Sequence, residues 1–263
     1  MKLFAVIGQH VRSSSASPAM HNAAFRALGV DALYIAVDVP KPSLSCFVEL
    51  ARFNLSGFNV TIPLKEEIIR YLDGVVMEAR AVGAVNTVKV ERNLLVGYNT
   101  DYMAVYRLAG RYMEGGRVLV LGAGGAARAA VYAAVKAGAN EVVVANRTKE
   151  KAAALAKEFS DRFGVKTAGV GLDEAPRADV VINATPVHNE VLVPLEGAKA
   201  YVEFVYNPPR TAMLAAALDL GIKVVDGVDI LVEQGAAAEE IWLGVKPDRE
   251  VMKKAVLRFL GVS

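Results

Sequence analysis

Val118-Leu119-Val120-Leu121-Gly122-Ala123-Gly124-Gly125-Ala126-Ala127 is an apolar run that passes through Gly-x-Gly-x-x-Ala into a helical pattern. Glycines there let a backbone turn tightly against a pyrophosphate, while the amides and positive dipole end of the following helix hold its charge. The alternative is a Gly-rich strand-to-helix turn that binds nothing. About 24 residues after Gly122 the next apolar run ends in Asn146-Arg147-Thr148, where an NAD site places Asp or Glu against the ribose 2′-hydroxyl. An arginine beside a hydroxyl, with Lys149 and Lys151 close in sequence, suits a 2′-phosphate, which needs positive charge and donors. NADP is therefore expected in preference to NAD. On the competing reading Thr148 caps a helix and the basic residues form a solvated face.

Hydride exchange at a carbon needs a group that moves a proton, and histidine is the usual one. His188 falls on a loop, His21 lies inside an early helical pattern where a partly buried structural role fits, and His10 has no partner motif. A lysine is the better candidate. Gly57-Phe58-Asn59-Val60-Thr61-Ile62-Pro63-Leu64-Lys65-Glu66 reads as a strand followed by a helix that Pro63 opens, with Lys65 in its first turn. A cation there opposes the helix dipole at a cost of about 0.3–1 kcal/mol, which function would justify, as would simple solvation or a pair with Glu66 or Glu67. Gly97-Tyr98-Asn99-Thr100-Asp101 sets a carboxylate at a strand-to-helix turn, where a capping acid is the alternative. Together a lysine and an aspartate could share proton work, the carboxylate favouring the ammonium form.

The elements that must carry these residues alternate, strand with helix, as in an α/β protein with a mostly parallel sheet. In the first third, strands are expected at 3–8, 33–39 and 57–61 and helices near Pro18, Ser43 and Pro63. Thr87 to Val90 and Leu94 to Val96 flank Arg92-Asn93 as a hairpin would. After a helix from about Thr100, Glu114-Gly115-Gly116 breaks the pattern, and it restarts with strands at 117–121, 141–146, 179–184, 201–206 and 223–226. Helices at 125–137, 149–159 and 211–220 separate them. Two last helices, 229–243 and 248–260, need another surface and are expected to return to the first domain. The organisation expected is an N-terminal α/β substrate-binding domain, residues 1–101 with 228–263, and a Rossmann-type NADP-binding domain, residues 102–227.

Composition removes several classes. With 54% hydrophobic residues in 263, the chain can bury real cores and is not a disordered tail. Thirty Lys+Arg against 28 Asp+Glu give a net charge of +2, too balanced for nucleic acid or an anionic membrane as main partner. One cysteine, Cys46, and three histidines allow no disulfide within a subunit and no Cys/His zinc cluster, so no metal is expected. The apolar run at Leu3–Ile7 is too short for a signal peptide and no stretch reaches membrane-span length, so a cytoplasmic protein is expected.

The sequence resembles the shikimate dehydrogenase family over essentially its whole length. Ser15-Ala16-Ser17-Pro18 with His21-Asn22 matches one family motif and Asn59 to Lys65 matches Asn-Val-Thr-x-Pro-x-Lys. Gly83 to Thr87, Asn99-Thr100-Asp101, Gly122 to Ala126, Asn146-Arg147-Thr148, Asn183-Ala184-Thr185, Val205 to Pro208 and Gln234 follow in family order. The resemblance implies reversible, NADPH-dependent reduction of 3-dehydroshikimate to shikimate in aromatic amino acid biosynthesis, by a homodimer. It implies that Lys65 and Asp101 are the catalytic pair and that Ser15 and Ser17 bind the substrate carboxylate with Tyr206. Thr61, Asn86 and Gln234 would hold the ring hydroxyls. Gly122, Ala123, Gly124, Gly125, Ala126, Asn146, Arg147, Thr148, Lys151 and Thr185 would bind the cofactor, with Phe204 and Gly227 at its nicotinamide half. The sequence departs from the pattern at Arg12-Ser13-Ser14, where a histidine is usual, at Tyr102 for glycine, at His188-Asn189 for Gly-Met, at Glu203 for aspartate and at Asp229 within Gly-x-Gly-Met-Leu. Mixed quinate/shikimate specificity is the nearest rival, and a metabolite-binding regulator without turnover is a rival of another class.

Overall fold

The computed structural model describes residues 1–262. The chain divides into two compact units, Met1–Thr100 with the chain from Val232 onward, and Asp101–Leu231. In the first, β1 (Lys2–Gly8), α1 (Val11–Ser14), α2 (Ser17–Ala27), β2 (Ala32–Asp38), α3 (Leu44–Asn54) and β3 (Gly57–Val60) come in order. They are followed by β4 (Gly74–Val75), α4 (Met77–Val82), β5 (Thr87–Glu91), β6 (Leu94–Tyr98) and α5 (Thr100–Met113), which runs into the second unit. That unit adds β7 (Arg117–Leu121), α6 (Gly125–Lys136), β8 (Glu141–Ala145), α7 (Lys149–Phe163) and β9 (Lys166–Val170). After these come β10 (Val180–Asn183), β11 (Ala200–Glu203), α8 (Ala212–Asp219) and β12 (Lys223–Val225). Helix α9 (Gly227–Leu243) leads back to the first unit, where α10 (Arg249–Phe259) packs on α2. Among the described residues no helix is long and apolar enough to cross a membrane.

The first sheet is mixed, in the order β2-β1-β3-β5-β6-β4. Strand β1 runs parallel to β2 and β3, and the β5–β6 hairpin adds antiparallel to β3. Side chains of a strand alternate between faces, and β1 divides accordingly. Ala5 and Ile7 join a core with Leu44, Val48, Phe58 and Leu64, whereas Phe4 and Val6 join Phe25, Tyr34 and Trp242. The second core requires α9, because Trp242 stacks on Phe4 at 4.8 Å and its Nε1 donates to the Val88 carbonyl at 2.9 Å. Helix α9 therefore covers a face that the first 100 residues leave apolar. Helix α10 starts where Asp248 accepts from the amides of Glu250 and Val251 at 2.8 and 3.3 Å, a side-chain N-cap.

The second sheet is wholly parallel, in the order β12-β11-β10-β7-β8-β9. Numbered within the unit this is 3-2-1-4-5-6 read from β9, the doubly wound arrangement, whose order reverses between β7 and β10. Its inner strands β7, β8, β10 and β11 are buried on both faces, as the inner strands of a covered parallel sheet are, whereas the edge strands β9 and β12 are partly exposed. Leu119, Leu121, Val143 and Tyr201 meet α8 on one side, and Val118, Val120 and Val144 are fully buried on the other.

The structure departs from expectation in three places. No helix opens at Pro63. Leu64 donates its amide to the Thr61 carbonyl at 2.9 Å, and the Lys65 carbonyl is taken by the Val85 amide at 2.8 Å, a partner outside any helix. Only a 3-10 turn, Glu67–Tyr71, follows. Lys65 thus sits in a tight turn tied to a neighbouring segment, and no helix dipole opposes its charge. The sheet also holds β9, which the apolar pattern missed, and strand β11 stops at Glu203, so Phe204 to Tyr206 are loop.

Candidate active site

In the second unit the reversal point of the sheet lies at the carboxyl ends of β7 and β10, where ligands bind in doubly wound sheets. Gly122 takes φ +107°, and a Cβ there would meet the Ala184 carbonyl oxygen at 3.1 Å and the Thr185 methyl at 3.3 Å. The glycine brings the loop after β7 against the loop after β10, so Gly122 and Thr185 share one crevice. Helix α6 then starts at Gly125 with Gly124 in the N-cap position and no side-chain cap. Its first amides lack intrahelical acceptors, which is what suits a helix N-terminus to an anion, and a Cβ on Gly124 would meet nothing within 4 Å.

At the end of β8, Asn146 is half-buried and donates Nδ2 to the Thr148 carbonyl at 2.9 Å, which folds the turn before α7. Arg147, Thr148 and Lys151 are exposed. Thr148 occupies the N-cap position of α7, yet its side chain makes no capping hydrogen bond. The bland reading of this hydroxyl as a cap therefore fails. Lys149 is committed elsewhere, 2.7 Å from Glu174, whose hydrogen bond holds the ammonium above its ordinary range. The residues present fit a phosphate-bearing adenosine half, and no carboxylate stands at the end of β8 to repel it.

Thr185 is fixed from below. Its amide and Oγ1 donate to Asn183 Oδ1 at 3.1 and 2.7 Å, and Asn183 Nδ2 donates to Glu203 at 3.0 Å. Phe204 and Tyr206 are half-buried on the loop after β11. A Cβ on Gly227 would fall 2.1 Å from the Val205 carbonyl oxygen, so only glycine admits this loop against the start of α9. Tyr102, on α5, stands edge-on to Tyr132 at 5.1 Å and is 8% exposed, packed into the second unit. Asp101 is buried in the first turn of the same helix, a position the dipole favours for a carboxylate.

In the first unit the candidate residues stand on a buried polar network. Asn86 Oδ1 accepts from the Thr100 amide at 2.6 Å and from Thr87 Oγ1 at 3.1 Å. Its Nδ2 donates to Thr100 Oγ1 at 2.9 Å and reaches Gln234 Oε1 at 3.5 Å. Behind it, Asn59 Nδ2 donates to the Asn86 carbonyl at 3.1 Å and to Thr87 Oγ1 at 2.9 Å, while the Tyr34 hydroxyl donates to Asn59 Oδ1 at 2.7 Å. Such a satisfied network fixes its members in one geometry. Gln234, on the apolar stripe of α9, thus has polar partners at Asn86 and Thr100. Ser15 is half-buried and its Oγ accepts from the Ser17 amide at 3.2 Å, so Ser15 serves the first turn of α2 while Ser17 is its first residue and caps nothing. Thr61 and Lys65 are half-buried, one on each side of the turn after β3. Tyr34 lies outside every motif, Asn59, Thr87, Thr100 and Asn183 stand within motifs but carry no role there, and Glu203 enters only as a departure from the pattern. Only nonlocal pairing reveals their supporting roles.

His21 is fully buried, with Nδ1 2.7 Å from Glu239 Oε1, also fully buried, and its ring stacks on Tyr34 at 4.3 Å. Among the described residues neither His21 Nε2 nor Glu239 Oε2 has a further partner. It is a structural pair inside the first unit.

A parallel sheet wound in this order, with its glycine loop at the reversal point, defines a dinucleotide-binding α/β protein, here joined to a second α/β unit. Family models match in chain order the shikimate dehydrogenase substrate binding domain over residues 6–88, shikimate/quinate 5-dehydrogenase over 107–204 and the shikimate 5′-dehydrogenase C-terminal domain over 227–257. A shikimate dehydrogenase (NADP(+)) of Pyrobaculum aerophilum is 65% identical over 260 residues, covering 98% of this chain and 99% of its own. That of Pyrobaculum neutrophilum is 65% identical over 261 residues, with 98% and 99% covered. The crystal structure of shikimate 5-dehydrogenase from Thermus thermophilus in complex with NADP(H) and shikimate matches with a TM-score of 0.88 at 38% identity, covering 98% of this chain and 99% of that one. The chain belongs to the shikimate dehydrogenase family.

Proposed function

We propose that this protein is an NADP-dependent oxidoreductase that reduces the ketone of 3-dehydroshikimate to shikimate, reversibly, as a cytoplasmic homodimer serving aromatic amino acid biosynthesis. The observation that carries the reading is Arg147 with an uncapped Thr148 at the end of β8, beside the reversal-point crevice of Gly122 and Thr185. Residues 102–227 hold the cofactor on this reading, and residues 1–101 with 228–263 hold the acid. Arg147, Thr148, Asn146 and Lys151 receive the 2′-phosphate end, Gly122 to Ala126 the pyrophosphate, and Thr185, Phe204 and Gly227 the nicotinamide end. The bound cofactor supplies or takes up the hydride.

The chain's own residues do the rest. Ser15 and Ser17 donate to the substrate carboxylate, joined by the Tyr206 hydroxyl. Thr61, Asn86 and Gln234 bond the ring hydroxyls, and the Tyr34–Asn59–Thr87 support keeps the Asn86 amide from rotating. Lys65 gives its proton to the oxygen that becomes the hydroxyl and takes it back in the reverse direction, with Asp101 as its carboxylate partner. Purified protein assayed with shikimate and with quinate, each under NADP+ and NAD+, tests the proposal. Shikimate with NADP+ is expected to be the fastest combination, and no hydride transfer to NADP+ from shikimate would refute it. Lys65→Ala should cut kcat by about 100-fold or more with little change in KM, the signature of an interaction made in the transition state. An alanine variant of wild-type activity removes Lys65 from the mechanism.

A further inference from the structure

Glu203 is a fully buried carboxyl group of the second unit that the mechanism above does not use, although it lies beneath its nicotinamide end. It is fully buried at the carboxyl end of β11, among donors alone. Tyr201 and Thr211 hydroxyls donate to Oε2 at 2.7 Å each, and the Val205 amide and Asn183 Nδ2 donate to Oε1 at 2.9 and 3.0 Å. Burial, with Glu203 beside it, pushes the Tyr201 phenol well above its ordinary range, so Tyr201 stays a donor. A buried carboxylate is expensive unless fully hydrogen-bonded, and a stabilising role alone would be met more cheaply by an apolar side chain.

The four donors show what the carboxylate holds. Val205 lies at the start of the loop after β11, between Phe204 and Tyr206, and Thr211 closes that loop as the N-cap of α8, accepting from the Leu214 amide at 3.1 Å. Asn183 carries the other loop, because its Oδ1 receives both the amide and the hydroxyl of Thr185 and its Nδ2 donates to the Val187 carbonyl at 3.2 Å. The two loops are thus pinned to one carboxyl group. Gly227 presses on the same segment from the far side, at the Val205 carbonyl.

We propose that Glu203 is a positioning residue that sets the Thr185 loop and the Phe204–Tyr206 loop in register with each other, and so fixes the nicotinamide half of the cofactor and the Tyr206 hydroxyl in their reactive placement. The inference rests on the function proposed above. In its terms Glu203 governs turnover and touches nothing that reacts. The 2′-phosphate end, held by Asn146, Arg147, Thr148 and Lys151 after β8, stands on neither of the loops that Glu203 pins.

Glu203→Gln keeps the shape but turns an amide group on neighbouring donors. Expected are a kcat lower by about 10- to 100-fold, the scale of an ångström of misplacement, a raised KM for the acid, and an affinity for 2′,5′-ADP unchanged within about twofold. Thr211→Val removes one bond to the carboxylate together with the cap of α8, and should show the same split in smaller degree beside a lower melting temperature, deciding the matter if Glu203→Gln does not fold. Tyr201→Phe, whose bond leads to neither loop, should lower the melting temperature and leave kcat as in the wild type. The proposal is overturned if Glu203→Gln and Thr211→Val both keep wild-type kcat, if 2′,5′-ADP affinity falls in step with turnover, or if Tyr201→Phe loses kcat as Thr211→Val does. If the wild type itself fails to oxidise shikimate, the functional reading fails. The comparison of NADP+ with 2′,5′-ADP binding across the variants, by calorimetry, still judges Glu203.

Discussion

Removing one member of the His21–Glu239 pair should damage the protein far more than removing both. As an imidazolium–carboxylate pair the two groups, each fully buried and 2.7 Å apart, would attract by at most about 6 kcal/mol at an effective dielectric of about 20. Against this stand several kcal/mol for desolvating each charged group, and the second nitrogen and second oxygen, which add about 1–3 kcal/mol apiece for lacking a partner. The pair therefore contributes close to nothing, or less. Glu239→Leu strands the imidazole and His21→Phe strands the carboxylate, and each should cost about 3–5 kcal/mol. For a unit of this size, at roughly 3–4 °C per kcal/mol, that is a fall of about 10–20 °C in Tm. The double variant restores an all-apolar contact among Phe25, Tyr34 and Trp242, and should melt at or above the wild type. Trp242, the single tryptophan, lies 5.6 Å from His21, so its fluorescence follows the unfolding of this unit and avoids mixing two transitions. A double variant as unstable as the sum of the singles would show that the pair stabilises the fold, and the reasoning would be wrong.

Other expectations can be checked in the same preparations. Arg147→Ala should raise KM for NADP+ by about 10- to 100-fold, the loss of one charge-assisted bond of about 1.5–3 kcal/mol, and leave KM for NAD+ unmoved; equal changes for both cofactors would detach Arg147 from the 2′-phosphate. The Asp73 carboxyl is held below its ordinary range, first by the Leu95 amide at 2.7 Å and then by Arg52. Since its folded pKa lies below the unfolded value, its stabilisation is present above about pH 4 and is lost as the pH falls through the folded value. The Tm gap between wild type and Asp73→Asn should accordingly be open at pH 7 and close below about pH 4, and a gap of constant size would contradict this.

What the sequence discloses here is mostly local. Leu119 to Leu121 and Val142 to Val144 are unbroken apolar runs because parallel strands are buried on both faces, so β7, β8 and β10 can be read directly. Strand β9 escapes because it is an edge strand of Lys166, Thr167, Ala168, Gly169 and Val170, half exposed, with one neighbour and no apolar run. Pro63 imitates a helix opener, and only the distant Val85 amide on the Lys65 carbonyl shows that the backbone is spent otherwise. The candidate site divides along the same line. Residue types at Lys65, Asp101 and Gly122 can be chosen from spacing and chemistry. The groups that hold their surroundings, Tyr34 on Asn59 or Glu203 on Asn183, are joined across 25 and 20 residues of chain and look like ordinary polar positions until the strands are paired. Glu239 is the extreme case, an acid in an apolar helix whose partner is 218 residues away.

The face of the first sheet that α9 covers with Ala238 and Trp242 also sets a timetable for synthesis. When Thr100 leaves the ribosome, Phe4, Val6 and Phe25 have no lid, and the roughly 130 residues of the second unit must be made before α9 emerges. At about 5–20 residues per second that is a wait of about 7–26 s. The unit encoded first is therefore completed last, and through that interval the second unit, whose chain is continuous, can close while a sheet that has all its strands but one uncovered apolar face stands open to chaperones and to other nascent chains.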